Sequence, residues 1–146
     1  MQFLAVIYHL ALAFWVGGVA LFTFVLTPIL FRTQPRDLAG KIVGVLFPGY
    51  FRWGVGCGGI ALLCLLILRG SAFLPTLIIL LVMLVATLFQ ALVIEPRAKA
   101  LKQRIGSFEK TTKDHPLRKE FSRLHGISAI CNLAVLVGGV VLVVFQ

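Results

Sequence analysis

The chain alternates four long apolar stretches with short segments that carry nearly all of its charge. The stretches lie at about residues 3–31, 49–68, 74–94 and 124–145, and each holds the roughly 20 apolar residues that a helix needs to cross a bilayer. They occupy almost the whole chain, so we predict a single transmembrane domain over residues 1–146. The first stretch follows no basic segment and is too long for a signal peptide, which favours a retained first span.

Three of the four stretches carry a narrow stripe of polar residues in an otherwise aliphatic sequence. In the last stretch, His125, Ser128 and Asn132 follow the spacing i, i+3 and i+7, which places them within about 60° of one another on a helix. The stripes of the first and third stretches consist of His9, Thr23, Thr27, Thr87 and Gln90. A polar group exposed to lipid costs several kcal/mol, so we expect the stripes to face one another inside a bundle.

Composition supports this class of protein. Hydrophobic residues make up 60% of the chain and charged residues 13%, whereas an ordinary soluble domain has about 45–50% apolar residues. We therefore predict an all-α polytopic membrane protein, a four-helix bundle. The cysteines Cys57, Cys64 and Cys131 lie within the spans without C-x-x-C spacing, so we expect buried thiols and no disulfide framework.

The net charge of +9 is distributed unevenly. With four crossings, thirteen of the 14 lysines and arginines fall on the side of the first and third loops, and only Arg69 falls on the other. Because cytoplasmic loops are enriched in Lys and Arg, we predict these loops in the cytoplasm and both termini outside, in a bacterial inner membrane. The cations flank spans and alternate with acidic residues, which favours anionic lipids as partners and argues against nucleic acid.

The first loop carries signals for an element at the membrane surface. Asp37 can cap a short segment over residues 38–47, which we predict as an interfacial helix that ends where Pro48 turns the chain inward. The aromatic residues that follow, Tyr50 and Trp53, suit the headgroup belt of a bilayer.

Prolines and glycines set two further expectations. The third helix should continue past Pro96 and the fourth should begin near Pro116, so that the two form a charged cytoplasmic helical hairpin. Glycines open the second span and include one Gly-x-x-x-Gly pair, Gly54 and Gly58, which favours close helix packing and is compatible with a homodimer.

Depth in the membrane divides the polar stripes into two groups. At 1.5 Å per residue, His125 should lie near the inner boundary and His9 near the outer one, roughly 20 Å apart along the membrane normal. In the cytoplasmic half we predict a polar ligand- or ion-binding site made of His125, Ser128, Asn132, Gln90 and Thr23. There His125 could bind or pass protons, metal ions or an anionic ligand. His9 is a separate candidate metal ligand.

Other interpretations of these residues stay open. The polar side chains could form interhelical hydrogen bonds that only fix the packing, at about 0.6 kcal/mol each. The protein could also be a structural or assembly partner of a membrane complex. The sequence offers no catalytic constellation, so we assign no catalytic residue and do not favour an enzyme.

Motifs in three of the four spans and their flanks resemble one family. They are Trp15-Val-Gly-Gly after His9, then Pro28-Ile-Leu-Phe, Leu46-Phe-Pro-Gly-Tyr-Phe, Glu95-Pro-Arg and Phe121-Ser-Arg-Leu-His-Gly-Ile-Ser-Ala-Ile-Cys-Asn. With these motifs the chain resembles the transmembrane protein 205-like family of four-helix membrane proteins over essentially its whole length. The resemblance implies a fold and a membrane location only, because that family has no established reaction.

The opening of the chain, a histidine followed by Trp-x-Gly-Gly, also resembles copper resistance D-type membrane proteins and, more loosely, HemJ-type protoporphyrinogen oxidases. In those families a first-helix histidine is associated with metal or haem, so the resemblance implies copper or haem at His9. This second match covers only about the first span. The chain lacks the lysine within the bundle that the haem-linked family would require, and its cysteines, methionines and histidines are too scattered for a good copper site.

Overall fold

The computed structural model describes residues 1–144 and contains four long helices. They are α1 (Gln2–Thr33), α2 (Arg36–Leu68), α3 (Phe73–Ile105) and α4 (Pro116–Val144), and each is long and apolar enough to cross a membrane. The described residues contain no strand. The predicted all-α four-helix bundle is therefore confirmed, as expected in lipid, where a helix satisfies its own backbone hydrogen bonds.

The helices form an up-and-down bundle in which α1 and α3 each pack against both α2 and α4. The first and third connections, residues 34–35 and 106–115, lie at one end, which we call the charged end. The short connection at residues 69–72 and the chain start lie at the opposite end. The predicted hairpin of the third and fourth helices is confirmed, because α3 continues through Pro96 and α4 begins at Pro116.

The predicted interfacial helix is not a separate element. Residues 38–47 form the first turns of α2, which runs without a break through Pro48. Ala39 and Val43 in these turns are buried, so packing against the rest of the chain holds the segment in line with the span. Membrane helices tolerate an internal proline when neighbouring groups support the freed backbone, and this outweighs the local tendency to break. The predicted cap is also wrong, since Pro35 precedes the helix and Asp37 makes other contacts.

Two helices contain a turn of π-helix just before a proline. In α1 the π turn spans Leu21–Leu26 and precedes Pro28, and in α3 it spans Gln90–Ile94 and precedes Pro96. A proline ring collides with the carbonyl four residues earlier, and a wider turn relieves that collision. The π turns are thus compatible with the prolines that follow them, although Pro48 in α2 is accommodated without one.

The centre of the bundle is closely packed around Trp15, which is 1% exposed. Gly54 and Gly58 of α2 make room for its indole ring, because a Cβ at Gly58 would lie 2.6 Å from a ring carbon and 2.5 Å from Leu84 Cδ2. On α4, a Cβ at Gly139 would lie 2.1 Å from Val16 Cγ2. The Gly-x-x-x-Gly pair thus contacts the inside of its own chain.

Candidate functional site

A cluster of hydrogen-bonded polar side chains joins three helices inside the bundle. The Ser128 hydroxyl donates to Gln90 Oε1 at 2.7 Å, and Gln90 Nε2 donates to Asn132 Oδ1 at 3.2 Å. The Tyr50 hydroxyl of α2 donates to the same Asn132 oxygen at 3.2 Å. We call these four residues the polar cluster. Three of them were predicted as site residues, and the structure brings all three together.

Local geometry explains why the cluster forms at this level. Gln90 begins the π turn of α3 and is 1% exposed, so its amide has no contact with lipid. Ser128 and Asn132 lie one turn apart on α4 and reach Gln90 together. Thr87 is buried nearby, but its hydroxyl donates to the Met83 carbonyl of its own helix at 2.9 Å. Thr87 is therefore not part of the cluster.

Beside the cluster lies a cavity of about 340 Å³, which extends from Asn132 to the charged end. Ser128 and Asn132 border its inner part, together with the predicted site residue Thr23. The Thr23 hydroxyl is buried and has no hydrogen-bond partner within the described residues. His125 also lines the cavity, closer to the charged end. All five predicted ligand-site residues thus lie at the cavity or in the polar cluster on its wall.

Two cations that were predicted only as topology signals line the outer part of the cavity. They are Arg36 at the start of α2 and Lys102 near the end of α3. Lys102 Nζ donates to the Gly40 carbonyl at 3.2 Å, and the Arg36 guanidinium lies 5.9 Å from the centre of the Phe108 ring. No aspartate or glutamate is among the residues lining the cavity, all of which belong to the described part of the chain. The cavity therefore has a positively charged mouth.

The connection at residues 106–115 closes one side of the cavity and is fixed from two helices. Asp37 accepts hydrogen bonds from the Ser107 hydroxyl and, at 2.7 Å, from the backbone N–H of Phe108. Arg118 of α4 is 8% exposed and donates to the carbonyls of Phe108, at 3.0 Å, and of Thr111. The Phe108 ring is thereby held against the cavity as part of its wall.

A second, much smaller cavity of about 10 Å³ lies on the other side of the polar cluster. It is lined by Trp15, Tyr50, Gln90 and Asn132, and its volume is about that of one water molecule. The Trp15 Nε1–H is buried without a hydrogen-bond partner among the described residues. The polar surface of the bundle interior therefore extends from the large cavity to Trp15.

The candidate metal ligand His9 lies apart from this site. It is exposed towards the opposite end of the bundle, where its ring meets the Tyr8 ring edge-on at 5.4 Å. It borders a different cavity, of about 300 Å³, with Tyr8 and the connection between α2 and α3. Within residues 1–144 there is no group of three His, Cys, Asp or Glu side chains that could hold a metal ion. His9 is therefore not part of such a group among the described residues.

Some members of the site carried no clear signal in the amino-acid sequence. Tyr50 was predicted as an interfacial anchor, yet it points into the bundle, whereas the other predicted anchor, Trp53, is 52% exposed. A signal for Tyr50 did exist, because it precedes the small residue Gly54 by one helical turn and so shares its face. Arg36 and Lys102 carried no such signal, since many other cations flank the spans.

Comparison with known proteins identifies a matching family and a similar protein. A family model described as "Domain of unknown function (DUF4149)" matches residues 10–107. A protein of Aquifex aeolicus (strain VF5), named only as an uncharacterized protein, is 32% identical over 138 residues, which cover 92% of each chain. No solved structure matches. Neither match names the transmembrane protein 205-like family or the copper resistance D-type proteins, so those finer resemblances stay predictions.

Proposed function

We propose that this chain, which belongs to the DUF4149 family and has four helices able to span a membrane, is an integral membrane protein that binds a small ligand in the cavity beside the polar cluster. We further propose that the charged end faces the cytoplasm of a bacterial inner membrane, as the distribution of Lys and Arg suggests. Contacts of the basic loops with anionic lipids, and a homodimer, remain predictions.

The observation that carries this proposal is the composition of the cavity wall. Ligand sites are concave, mostly apolar and of about 300–1,000 Å³, with a few well-placed polar groups. The cavity of about 340 Å³ has this character, since phenylalanines cover much of its wall while Ser128 and Asn132 lie at one end and two cations at the other. Polar side chains inside a membrane-spanning bundle cost free energy, so Ser128 and Asn132 on this wall are candidates for contacts with a ligand.

A role in helix packing accounts for only part of this arrangement of polar and charged side chains. It explains the polar cluster, whose members hydrogen-bond to one another across α2, α3 and α4. It explains less of Arg36 and Lys102, because neither cation has a carboxylate within 4.0 Å in the described structure and each has only a carbonyl or an aromatic ring as its partner. Their positions at the cavity mouth favour a function in binding.

Cysteine labelling tests the proposal without knowledge of the ligand. Ala129 lines the cavity, and Ala134 is exposed on the same helix away from it. Each alanine is replaced by cysteine in a cysteine-free background, and the protein is placed in lipid nanodiscs. The reagents are the anion sulfonatoethyl methanethiosulfonate and the cation trimethylammonioethyl methanethiosulfonate.

Ala129→Cys should react with the anionic reagent at a rate that saturates with its concentration, because reversible binding precedes reaction. The anion should be preferred over the cation by about fivefold or more, the ratio expected if one nearby cation contributes about 1 kcal/mol. Ala134→Cys should show neither effect. A linear and charge-independent rate at residue 129 would contradict the proposal, and the role of an assembly partner would then be favoured.

A further inference from the structure

We infer that the ligand is a single-chain organic anion with a second hydrogen-bonding group at its far end, bound lengthwise between the charged mouth of the cavity and Asn132. This inference rests on the proposed function and names the ligand class for the same cavity.

The charge at the mouth selects an anion. Lys102 has three N–H donors, of which one is used on the Gly40 carbonyl. Asp37, next to Arg36 in sequence, has both carboxylate oxygens occupied by Ser107 and Phe108. Glu95 borders a smaller adjoining cavity of about 30 Å³ together with Lys102, and its carboxylate attracts the Lys102 ammonium without a contact within 4.0 Å. The mouth therefore offers unused donors on a cation and accepts a carboxylate, sulfonate or phosphate group.

The length and size of the cavity favour an extended molecule. Its lining runs from Phe121 to Asn132 along α4 and from Arg36 to Phe47 along α2, eleven steps in each case, which is about 16 Å at 1.5 Å per residue. A volume of about 340 Å³ is at the lower end of the range for small-molecule sites, which favours one extended chain over a larger ligand.

The middle of the cavity is apolar and its inner end is polar. Val43 lies between Arg36 and Phe47 along α2, and Phe22 and Phe31 line the cavity from α1, which suits a hydrocarbon chain. Phe108 and Phe121 lie beside the cations at the mouth. At the inner end, Asn132 Oδ1 accepts two hydrogen bonds, while the Nδ2 group of this residue donates to no described residue. A chain that reaches this level therefore gains affinity if its far end carries an acceptor such as a hydroxyl, carbonyl or carboxylate oxygen.

Protection of Ala129→Cys from the neutral reagent methyl methanethiosulfonate tests this inference in nanodiscs. The probes are ω-hydroxydecanoate, decanoate, decanediol and inorganic phosphate, and their free concentrations are measured by dialysis against empty nanodiscs. We expect ω-hydroxydecanoate to protect at a concentration about fivefold lower than decanoate, the gain from one hydrogen bond. Decanediol and phosphate should protect at least fivefold less well, because each lacks one part of the ligand.

Two variants test which residues cause these differences in protection. Lys102→Gln should weaken protection by both carboxylates and leave decanediol unchanged. Asn132→Leu should remove the advantage of ω-hydroxydecanoate over decanoate. Since the comparison of probes is made first without either substitution, poor folding of Asn132→Leu does not remove the test. Ala134→Cys, labelled in parallel, reports any effect of the probes on the bilayer itself.

The outcomes separate this inference from the proposed function. Equal protection by phosphate and ω-hydroxydecanoate would overturn the inference, because the cavity would then bind small anions without a chain. Protection by none of the probes, with saturable labelling by the anionic reagent intact, would overturn the inference and leave the proposed function standing. Labelling without saturation or charge preference would remove the proposed function itself.

Discussion

Replacement of Asn132 by leucine measures how strongly the polar cluster holds the helices together. Asn132 Oδ1 accepts hydrogen bonds from the Tyr50 hydroxyl and from Gln90 Nε2, so the substitution removes both. Interhelical hydrogen bonds in membrane proteins contribute about 0.6 kcal/mol on average, which gives about 1.2 kcal/mol for two. Gln90 is 1% exposed and loses one acceptor, so the total loss in the free energy of unfolding can reach about 3 kcal/mol.

The assay is reversible unfolding in mixed micelles of dodecylmaltoside and dodecylsulfate, followed by circular dichroism. A double-mutant cycle of Asn132→Leu and Gln90→Leu isolates their shared hydrogen bond, because the other bonds of each residue are lost in the single variants as well. We expect a coupling energy of about 0.6 kcal/mol and no more than about 1.7 kcal/mol. Ala134→Leu, at an exposed position on the same helix, is the control and should change stability by less than about 0.5 kcal/mol.

One outcome would contradict a stabilising role of the polar cluster. If the coupling energy is zero within error and both single variants resemble Ala134→Leu, the hydrogen bonds of the polar cluster do not stabilise the fold. The polar residues would then have to be explained by ligand binding alone. A coupling energy near the expected value, together with intact anion-selective labelling at residue 129, would assign the cluster a part in stability and the cavity a part in binding.

The remaining predictions concern packing, the cavity wall and topology. Gly58→Ala should lower the free energy of unfolding by about 1–3 kcal/mol, because the added Cβ overpacks against the Trp15 ring. Gly59→Ala has open space for a Cβ and should be neutral or stabilising by up to about 1 kcal/mol. Equal effects of the two substitutions would contradict this packing. Arg118→Ala removes charged hydrogen bonds of about 1.5–3 kcal/mol each to the connection at residues 106–115. Limited trypsin digestion should then cut this connection several-fold faster. The matched variant Lys119→Ala removes only an exposed ion pair and should not change the cutting rate. A cysteine introduced in the short connection at residues 69–72 of a cysteine-free protein should react with an impermeant maleimide from outside the cell, and reaction only after cell lysis would reverse the topology.

Much of the fold was predictable because lipid restricts what a chain can do. An apolar stretch of about 20 residues in a bilayer must satisfy its own backbone, so its length alone indicates a helix. The extension of α3 past Pro96 and the start of α4 at Pro116 also followed from local signals, and both are observed. The prediction of a separate interfacial helix was wrong. It assumed that Pro48 ends the helix, whereas the packing of Ala39 and Val43 keeps this segment in line with the rest of α2.

The candidate site was predictable in part. Helical spacing placed His125, Ser128 and Asn132 on one face, and the cost of polar groups in lipid directed that face towards Gln90. Spacing within a helix cannot say which residue of another helix lies opposite. Tyr50 is 82 residues from Asn132 in the chain, and its hydrogen bond depends on the relative height and rotation of α2 and α4.

The number of helices, the class of the protein and its polar faces could be read from the amino-acid sequence, because they depend on composition and on the period of one helix. The packing of the helices was needed to show that Arg36 and Lys102 line a cavity and that Asp37 and Arg118 fix its wall. A cavity is the space between helices, so it depends on how side chains distant in sequence pack against one another.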